Sequence, residues 1–311
     1  MSSSDEDVGP MPATSAKKRK LQHEALFLNN IPAADSYEVS LMHRDLVSHV
    51  VVIPNTDFIV TASIDGHIKF WKKMGGGNGV EFVKHFRAHT SPIVAIDSNS
   101  AGTLLASIAG VAGNGGSCKI FDVVNFDMIN MFQLDYLPSC VCWIKKSGSG
   151  DALVAVADHE SSSVHVYNGR EGIAAAKVVA PSALSIRLMR YNPEADVVVS
   201  IDSGGMIEYW RLDDDAETGY CTPAFGHGVS FNFKGETDLY EFKKSKTLPT
   251  SLTFSPQFDK FATFGFDDRM IRIFSFKTGK MIRKYDEGII KVTEMHQNGT
   301  EMLKLDDMEF G

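Results

Sequence analysis

From Tyr37 onward, apolar and polar residues alternate with a period of two in short runs, separated by clusters of Gly, Asp, Asn and Ser. That period places successive side chains on opposite faces of a strand. Residues 61–71 read Thr-Ala-Ser-Ile-Asp-Gly-His-Ile-Lys-Phe-Trp, a strand ending at Ser63, an Asp-Gly turn, and a strand closing on Trp71. Asp-Gly between such runs predicts a tight hairpin in which both central residues take positive φ. The phrase recurs at residues 200–210 and 264–274, and more loosely at 157–167 and before Asp122.

The pattern predicts strands in groups of four. The first group is 47–53, 58–63, 67–72 and 80–86; the second is 93–97, 103–108, 117–122 and 127–133; the third is 139–144, 152–156, 163–167 and 174–179. The fourth is 184–191, 196–201, 206–210 and a late outer strand, at 229–233 or at 238–242. The fifth is 250–254, 261–264, 270–275 and 280–285. The aromatic that closes each third strand falls at Trp71, Phe121, Tyr167, Trp210 and Phe274. The first three intervals are roughly 40 to 50 residues, the period of a four-stranded propeller blade. The expected fold is all-β: an incomplete β-propeller of about five recognisable blades over residues 37–285, with little helix.

The ends differ in character. Residues 1–16 are rich in Ser, Pro and acid, with too little apolar surface to offset ordering entropy, so an arm over 1–36 is expected to be disordered. It carries Lys17, Lys18, Arg19 and Lys20, a tract compatible with nuclear import or with a chance charge run. Residues 21–31 read as a short helix or an extended latch. Residues 286–311 form a tail or the start of a further blade. The loops at 75–79, 111–116 and 213–228 are candidate contact regions, since loops on a rigid scaffold often carry binding residues.

Charge and composition narrow the function classes. The net charge is −8 and the pI about 5.7, which disfavours a broad phosphate-binding surface and direct nucleic-acid binding. No apolar run approaches the ~18 residues of a membrane-spanning helix. Cys140 and Cys142 lie two apart on one strand and so share a face. They read as half a metal site or as two small buried hydrophobes, and the lack of a second Cys/His pair at zinc spacing favours the latter. No metal, cofactor or small-molecule substrate is expected, and four cysteines used this way fit a reducing compartment.

His43, Ser63 and Asp65 together suggest nucleophilic catalysis. No Gly-x-Ser-x-Gly elbow exposes the serine. With Trp71 the same residues resemble a set found in WD-type repeats: a His before the first strand, a Ser or Thr on the second, an Asp in the turn and a Trp on the third. Such a set satisfies polar groups buried between strands and is structural, so no catalytic residue is expected. The other blades keep parts of it: His89 with Phe121 in blade two, Asp202 with Trp210 in blade four, and Asp267 or Asp268 with Phe274 in blade five.

These residues resemble the WD-repeat superfamily, with its WD40-type propeller. Residues 56–73, 81–87, 121–131 and 237–242 resemble more narrowly the peptidylprolyl isomerase domain and WD repeat-containing family. The resemblance implies a nuclear, spliceosome-associated protein with a propeller and a separate cyclophilin domain that isomerises X-Pro bonds. Phe-His-Arg and Ser-Gln-Phe-Phe, the signatures of that domain, do not occur in this sequence. The chain is therefore expected to be a fragment that acts as a protein-binding scaffold toward spliceosomal partners. The alternatives are a prolyl isomerase, by family, and direct RNA binding.

Overall fold

The computed structural model describes residues 23, 25, 41–75, 79–145, 152–179, 184–212, 221–223 and 228–297. The basic tract, all but His23 and Ala25 of the latch at 21–31, and most of the 213–228 insertion lie outside the described residues. The chain divides into a segment ending at Met42 and a unit that begins at His43.

The described strands of the second unit form five antiparallel four-stranded sheets, each paired in sequence order. Blade one is β1 (Val47–Val52), β2 (Phe58–Ser63), β3 (His67–Lys73) and β4 (Val80–Arg87). Blade two is β5 (Ile93–Ser98), β6 (Leu104–Val111), β7 (Gly115–Asp122) and β8 (Asp127–Leu134). Blade three is β9 (Pro138–Lys145), β10 (Ala152–Asp158), β11 (Ser163–Asn168) and β12 (Ala174–Val179). Blade four is β13 (Ile186–Asn192), β14 (Val197–Asp202), β15 (Ile207–Leu212) and β16 (Cys221–Pro223). Blade five is β17 (Pro249–Phe254), β18 (Lys260–Gly265), β19 (Met270–Ser275) and β20 (Met281–Asp286).

Successive first strands pack on one another in the order β1, β5, β9, β13, β17, so these five are the inner strands of a propeller. Between each pair of consecutive blades lies a separate apolar core. Val60, Ala62, Ile68 and Phe70 of blade one meet Leu105, Phe121 and Val123 of blade two. Ala106, Ile108 and Ile120 meet Trp143, Val154 and Val156 of blade three. Leu153, Ala155 and Ala157 then turn the other way, against Met189, Val198 and Trp210 of blade four. Val199, Ile201 and Tyr209 meet Leu252, Phe261 and Phe274 of blade five. A middle strand thus serves two cores with its two faces, which is why β6 and β10 are apolar at nearly every position.

The end blades lack a neighbour on one side. Ile201 pairs with Ile207 in blade four, three residues from the pair Val198 and Trp210, and both isoleucines are buried under blade five. Phe264 and Ile271 hold the same positions relative to Phe261 and Phe274, yet both are only half-buried. On β1, Val50 and Val52 are 63% and 68% exposed. The packing that joins neighbouring inner strands is not repeated at comparable extent between β17 and β1.

Two expectations need correction. The outer strand of blade four is β16, at neither predicted place. Residues 229–233 are irregular, and residues 238–242 run into the helix α1 (Glu241–Ser245). Phe231, Leu239 and Phe242 give both segments an apolar signal because they plug the core between blades four and five, not because they alternate along a strand. After β20 the chain forms a helix, α2 (Ile289–Gln297), and residues 298–311 lie outside the described residues. The Asp-Gly hairpin is a three-residue loop: the Gly66 amide donates to the Ser63 carbonyl at 3.1 Å, and Gly66 has φ +81° while Asp65 is not left-handed. A Cβ on Gly66 would overlap the His89 carbonyl oxygen, so the turn also sets the approach of blade two's lead-in.

Candidate functional site

The blade-one set is assembled by strand pairing. Ile59 pairs with Trp71 and Thr61 with Lys69, which puts the Thr61 hydroxyl beside the Trp71 indole. Trp71 Nε1 donates to Thr61 Oγ1 at 2.8 Å, and His43 Nε2 lies 2.8 Å from the same oxygen. The bridging hydroxyl is therefore that of Thr61, two residues before Ser63. Ser63 is buried one step further along and serves Asp65 instead. Burial pushes the Asp65 carboxyl up, but hydrogen bonds from Ser63 and the His67 amide more than offset this and leave it below its ordinary value. Burial and the nearby Lys69 charge hold the His43 imidazole below its ordinary value, so it is neutral at pH 7. A neutral His bound to a hydroxyl that accepts an indole N–H is a brace between strands. It is no base poised over an open cleft.

The spacing carries the signal that identifies Thr61. The hydroxyl stands ten residues before the Trp in blade four as in blade one: Trp210 Nε1 donates to Ser200 Oγ at 3.0 Å. The His stands eighteen residues before the hydroxyl in blade two as in blade one: His89 Nε2 is 2.8 Å from Ser107 Oγ, and its Nδ1 is 3.0 Å from Ser117 Oγ. Burial and the Lys119 charge push the His89 pKa down to about 4. In blade five Asp268 rather than Asp267 takes the structural role. It accepts from Arg272 Nη2 at 2.6 Å, and Arg272 also faces Glu241 of α1 at 3.8 Å and the Phe242 ring at 4.9 Å.

Four of the blade-closing aromatics, Phe121, Tyr167, Trp210 and Phe274, lie in or against inter-blade cores, whereas Trp71 packs within its own blade. Trp71 meets Phe82 edge-on, Phe121 tilts against Phe86 across the first interface, and Phe274 stacks on Phe261 at 5.1 Å. Tyr167 packs on Phe132, and its hydroxyl lies 3.1 Å from that of Tyr136. Trp210 is wholly buried. Cys140 and Cys142 both point into the core between blades three and four, where burial pushes the Cys140 thiol up to about 12 and the Cys142 thiol well above its ordinary value. Such thiols pack as small hydrophobes. Of the candidate loops, residues 111–116 form a tight exposed hairpin, Gly75 and Gly79 flank undescribed residues, and 213–228 is described only at 221–223 and Gly228.

A cavity of about 280 Å³ lies at the centre, lined from all five inner strands. Its wall includes His49, Ser139, Arg187, Arg190 and Thr250. Arg187 and Arg190 both stand on β13, where a bulge between Ile186 and Leu188 breaks the alternation and leaves both side chains exposed. Arg187 Nη1 lies 2.8 Å from His159 Nε2, and Arg190 lies 3.6 Å from Asp97. Asp97 is fixed from behind: its Oδ2 accepts from the Trp143 amide and its carbonyl from Trp143 Nε1, both at 3.0 Å. Burial pushes the Asp97 carboxyl up, against the pull of Arg190. Burial, with Arg190 adding to it, keeps His49 neutral. Sequence reasoning passed over these residues. A double arginine on the innermost strand of a repeat was the available signal, but which strand is innermost is a property of the assembly.

Comparison with known proteins follows this geometry. The family model described as WD domain, G-beta repeat matches residues 38–72 and 80–122, which hold blade one and the first three strands of blade two. Peptidyl-prolyl cis-trans isomerase cyp15 of Rhizopus delemar is 45% identical over 99% of this chain and 48% of its own length. Peptidylprolyl isomerase domain and WD repeat-containing protein 1 of Homo sapiens is 44% identical over 98% of this chain and 45% of its own. Peptidyl-prolyl cis-trans isomerase CYP71 of Arabidopsis thaliana is 39% identical over 98% and 46%. The chain spans about half the length of the curated relatives it matches.

Proposed function

As the chain belongs to the WD-repeat superfamily, and within it to the family of peptidylprolyl isomerase domain and WD repeat-containing proteins, we propose that it is a protein-binding scaffold serving spliceosomal partners in the nucleus. One observation carries the scaffold reading. The His43, Thr61 and Trp71 side chains, the nearest thing here to a catalytic set, are engaged with one another inside a blade. Such a fold offers partners a rigid rim, two loop-bearing ends and a central cavity. The nuclear and spliceosomal assignment rests on the family resemblance together with the Lys17–Lys20 tract.

The relatives' names include prolyl isomerisation, and a chain half their length has its own place in that activity. On this proposal the 311-residue chain recruits partners and does not itself turn X-Pro bonds. The test has two arms. Added to a proline-containing peptide, the chain leaves the isomerisation rate at the buffer value; turnover above that rate sinks the scaffold-only reading. Purified from nuclear extract after nuclease treatment, the tagged chain retains splicing proteins. Their absence, with the chain folded and nuclear, removes the spliceosomal assignment.

A further inference from the structure

We infer that the central cavity is a receptor for an anionic side chain of an extended peptide, with Arg187 and Arg190 as its binding residues. This deepens the scaffold reading and rests on it. The chain carries a net charge of −8, yet the cavity wall holds two arginines and no carboxylate. Asp97, the nearest acid, stands behind the wall with one oxygen bound to the Trp143 amide, and its contact with Arg190 is long at 3.6 Å. It neutralises only part of the charge. Arg187 donates to a ring nitrogen of His159 rather than to a carboxylate, so it has no acidic partner there.

Exposure and geometry point the same way. The Arg190 side chain is 44% exposed although it springs from an inner strand. A bulge near the start of β13, matched on β1, β5 and β17, lets Arg187 and Arg190 line the cavity together. Guanidinium forks suit planar carboxylates and phosphate esters, and a partly enclosed site weakens the screening by water. Ser139 and Thr250 also stand on the wall, where their hydroxyls already donate to the Ile186 and Phe264 carbonyls, so the two arginines are its charged donors. A cavity of about 280 Å³ accommodates one or two side chains and is too small for a run of stacked bases. The occupant is therefore a peptide.

The experiment measures fluorescence anisotropy of a labelled peptide in which Glu alternates with Ala, against the full 311-residue chain at low salt. Its Gln-for-Glu counterpart, a phosphoserine-for-Glu counterpart and a uridine decanucleotide are run beside it. The Glu peptide binds at least about tenfold tighter than the Gln peptide, and affinity falls with added salt. Arg187→Gln and Arg190→Gln each weaken it about tenfold, and together they abolish the preference for Glu over Gln. Arg187→Gln leaves Asp97 paired, so it reads the cavity even where Arg190→Gln disturbs folding. Tighter binding of the phosphoserine peptide, lost in the same variants, upholds the site and makes the phosphate ester its source. Equal affinity for Glu and Gln peptides, indifference to both arginines, or tighter binding of the uridine decanucleotide overturns the inference. If peptides fail while splicing proteins still co-purify with the double variant, the cavity falls and the scaffold stands; if neither binds, both fall.

Discussion

Replacing Thr61 by Val tests which hydroxyl braces blade one. Val keeps the shape of Thr and its preference for strands but removes Oγ1. Two partners lose their contact, Trp71 Nε1 and His43 Nε2, each 2.8 Å away. Trp71 is 6% exposed, so its N–H is left without a partner at a cost of about 1–3 kcal/mol. His43 is half-buried, and water recovers most of its loss. The sum is about 2 kcal/mol. Ser63→Ala removes a hydroxyl whose Oγ is 3.5 Å from the Asp65 amide, and Asp65 keeps the His67 amide at 3.1 Å. That change costs no more than about 1 kcal/mol, since the half-exposed Asp65 is still solvated. At about 2–4 °C per kcal/mol for a domain of 150–250 residues, Thr61→Val lowers Tm by roughly 4–8 °C and Ser63→Ala by less than half of that. Calorimetry reads both, and Trp71 emission shifts to the red only in Thr61→Val. A Ser63→Ala variant as unstable as Thr61→Val, with unchanged emission in the latter, would refute the assignment of the brace to Thr61.

The remaining predictions concern pH, the end faces and blade five. His89 has a folded pKa of about 4 against an ordinary 6.5, so between those values the unfolded chain binds the extra proton. Its contribution, on the order of 3 kcal/mol, is complete above pH 6.5 and is lost as the pH falls through 4; His89→Gln flattens the urea-midpoint profile in that window, and an unchanged slope excludes the linkage. Ile207→Ala creates a cavity under blade five and costs about 2–5 kcal/mol, whereas Ile271→Ala at the matching half-buried place costs under about half as much; equal losses in denaturant titration would mean that the blade-five face is covered. Asp268→Ala leaves Arg272, whose side chain is 1% exposed, with Glu241 at 3.8 Å as its remaining carboxylate among the described residues, and lowers stability by about 3 kcal/mol. A melt within 1 °C or so of the parent would show that Arg272 has another partner.

Much of the blade-one site was readable in advance, and its error is instructive. His43, Asp65 and Trp71 were found because a turn and an aromatic at fixed spacing mark the strands that carry them. Ser63 was chosen over Thr61 because it adjoins the turn. Facing across a hairpin depends on register, however, and register moved by a three-residue loop decides which hydroxyl meets the indole. The cavity arginines were legible only as two like charges on one strand. Alternation puts Arg187 and Arg190 on opposite faces of a regular strand, and only the bulge at β13 brings them to one side.

The amino-acid sequence determined the unit: strands from period-two runs, hairpins from Asp and Gly, and a closing aromatic that repeats with each blade. Those are local properties, set by backbone sterics and by which faces a strand can bury, so they survive without knowledge of any neighbour. The tertiary structure decided what lies between units. The choice of which apolar face of β10 meets Trp143 and which meets Trp210, the recruitment of Phe231, Leu239 and Phe242 into a core rather than a strand, and the convergence of five inner strands on one cavity all depend on contacts between residues far apart in the chain. Hydrophobic burial has no direction of its own, so a run of apolar residues states that a partner exists and leaves its identity to the assembled blades.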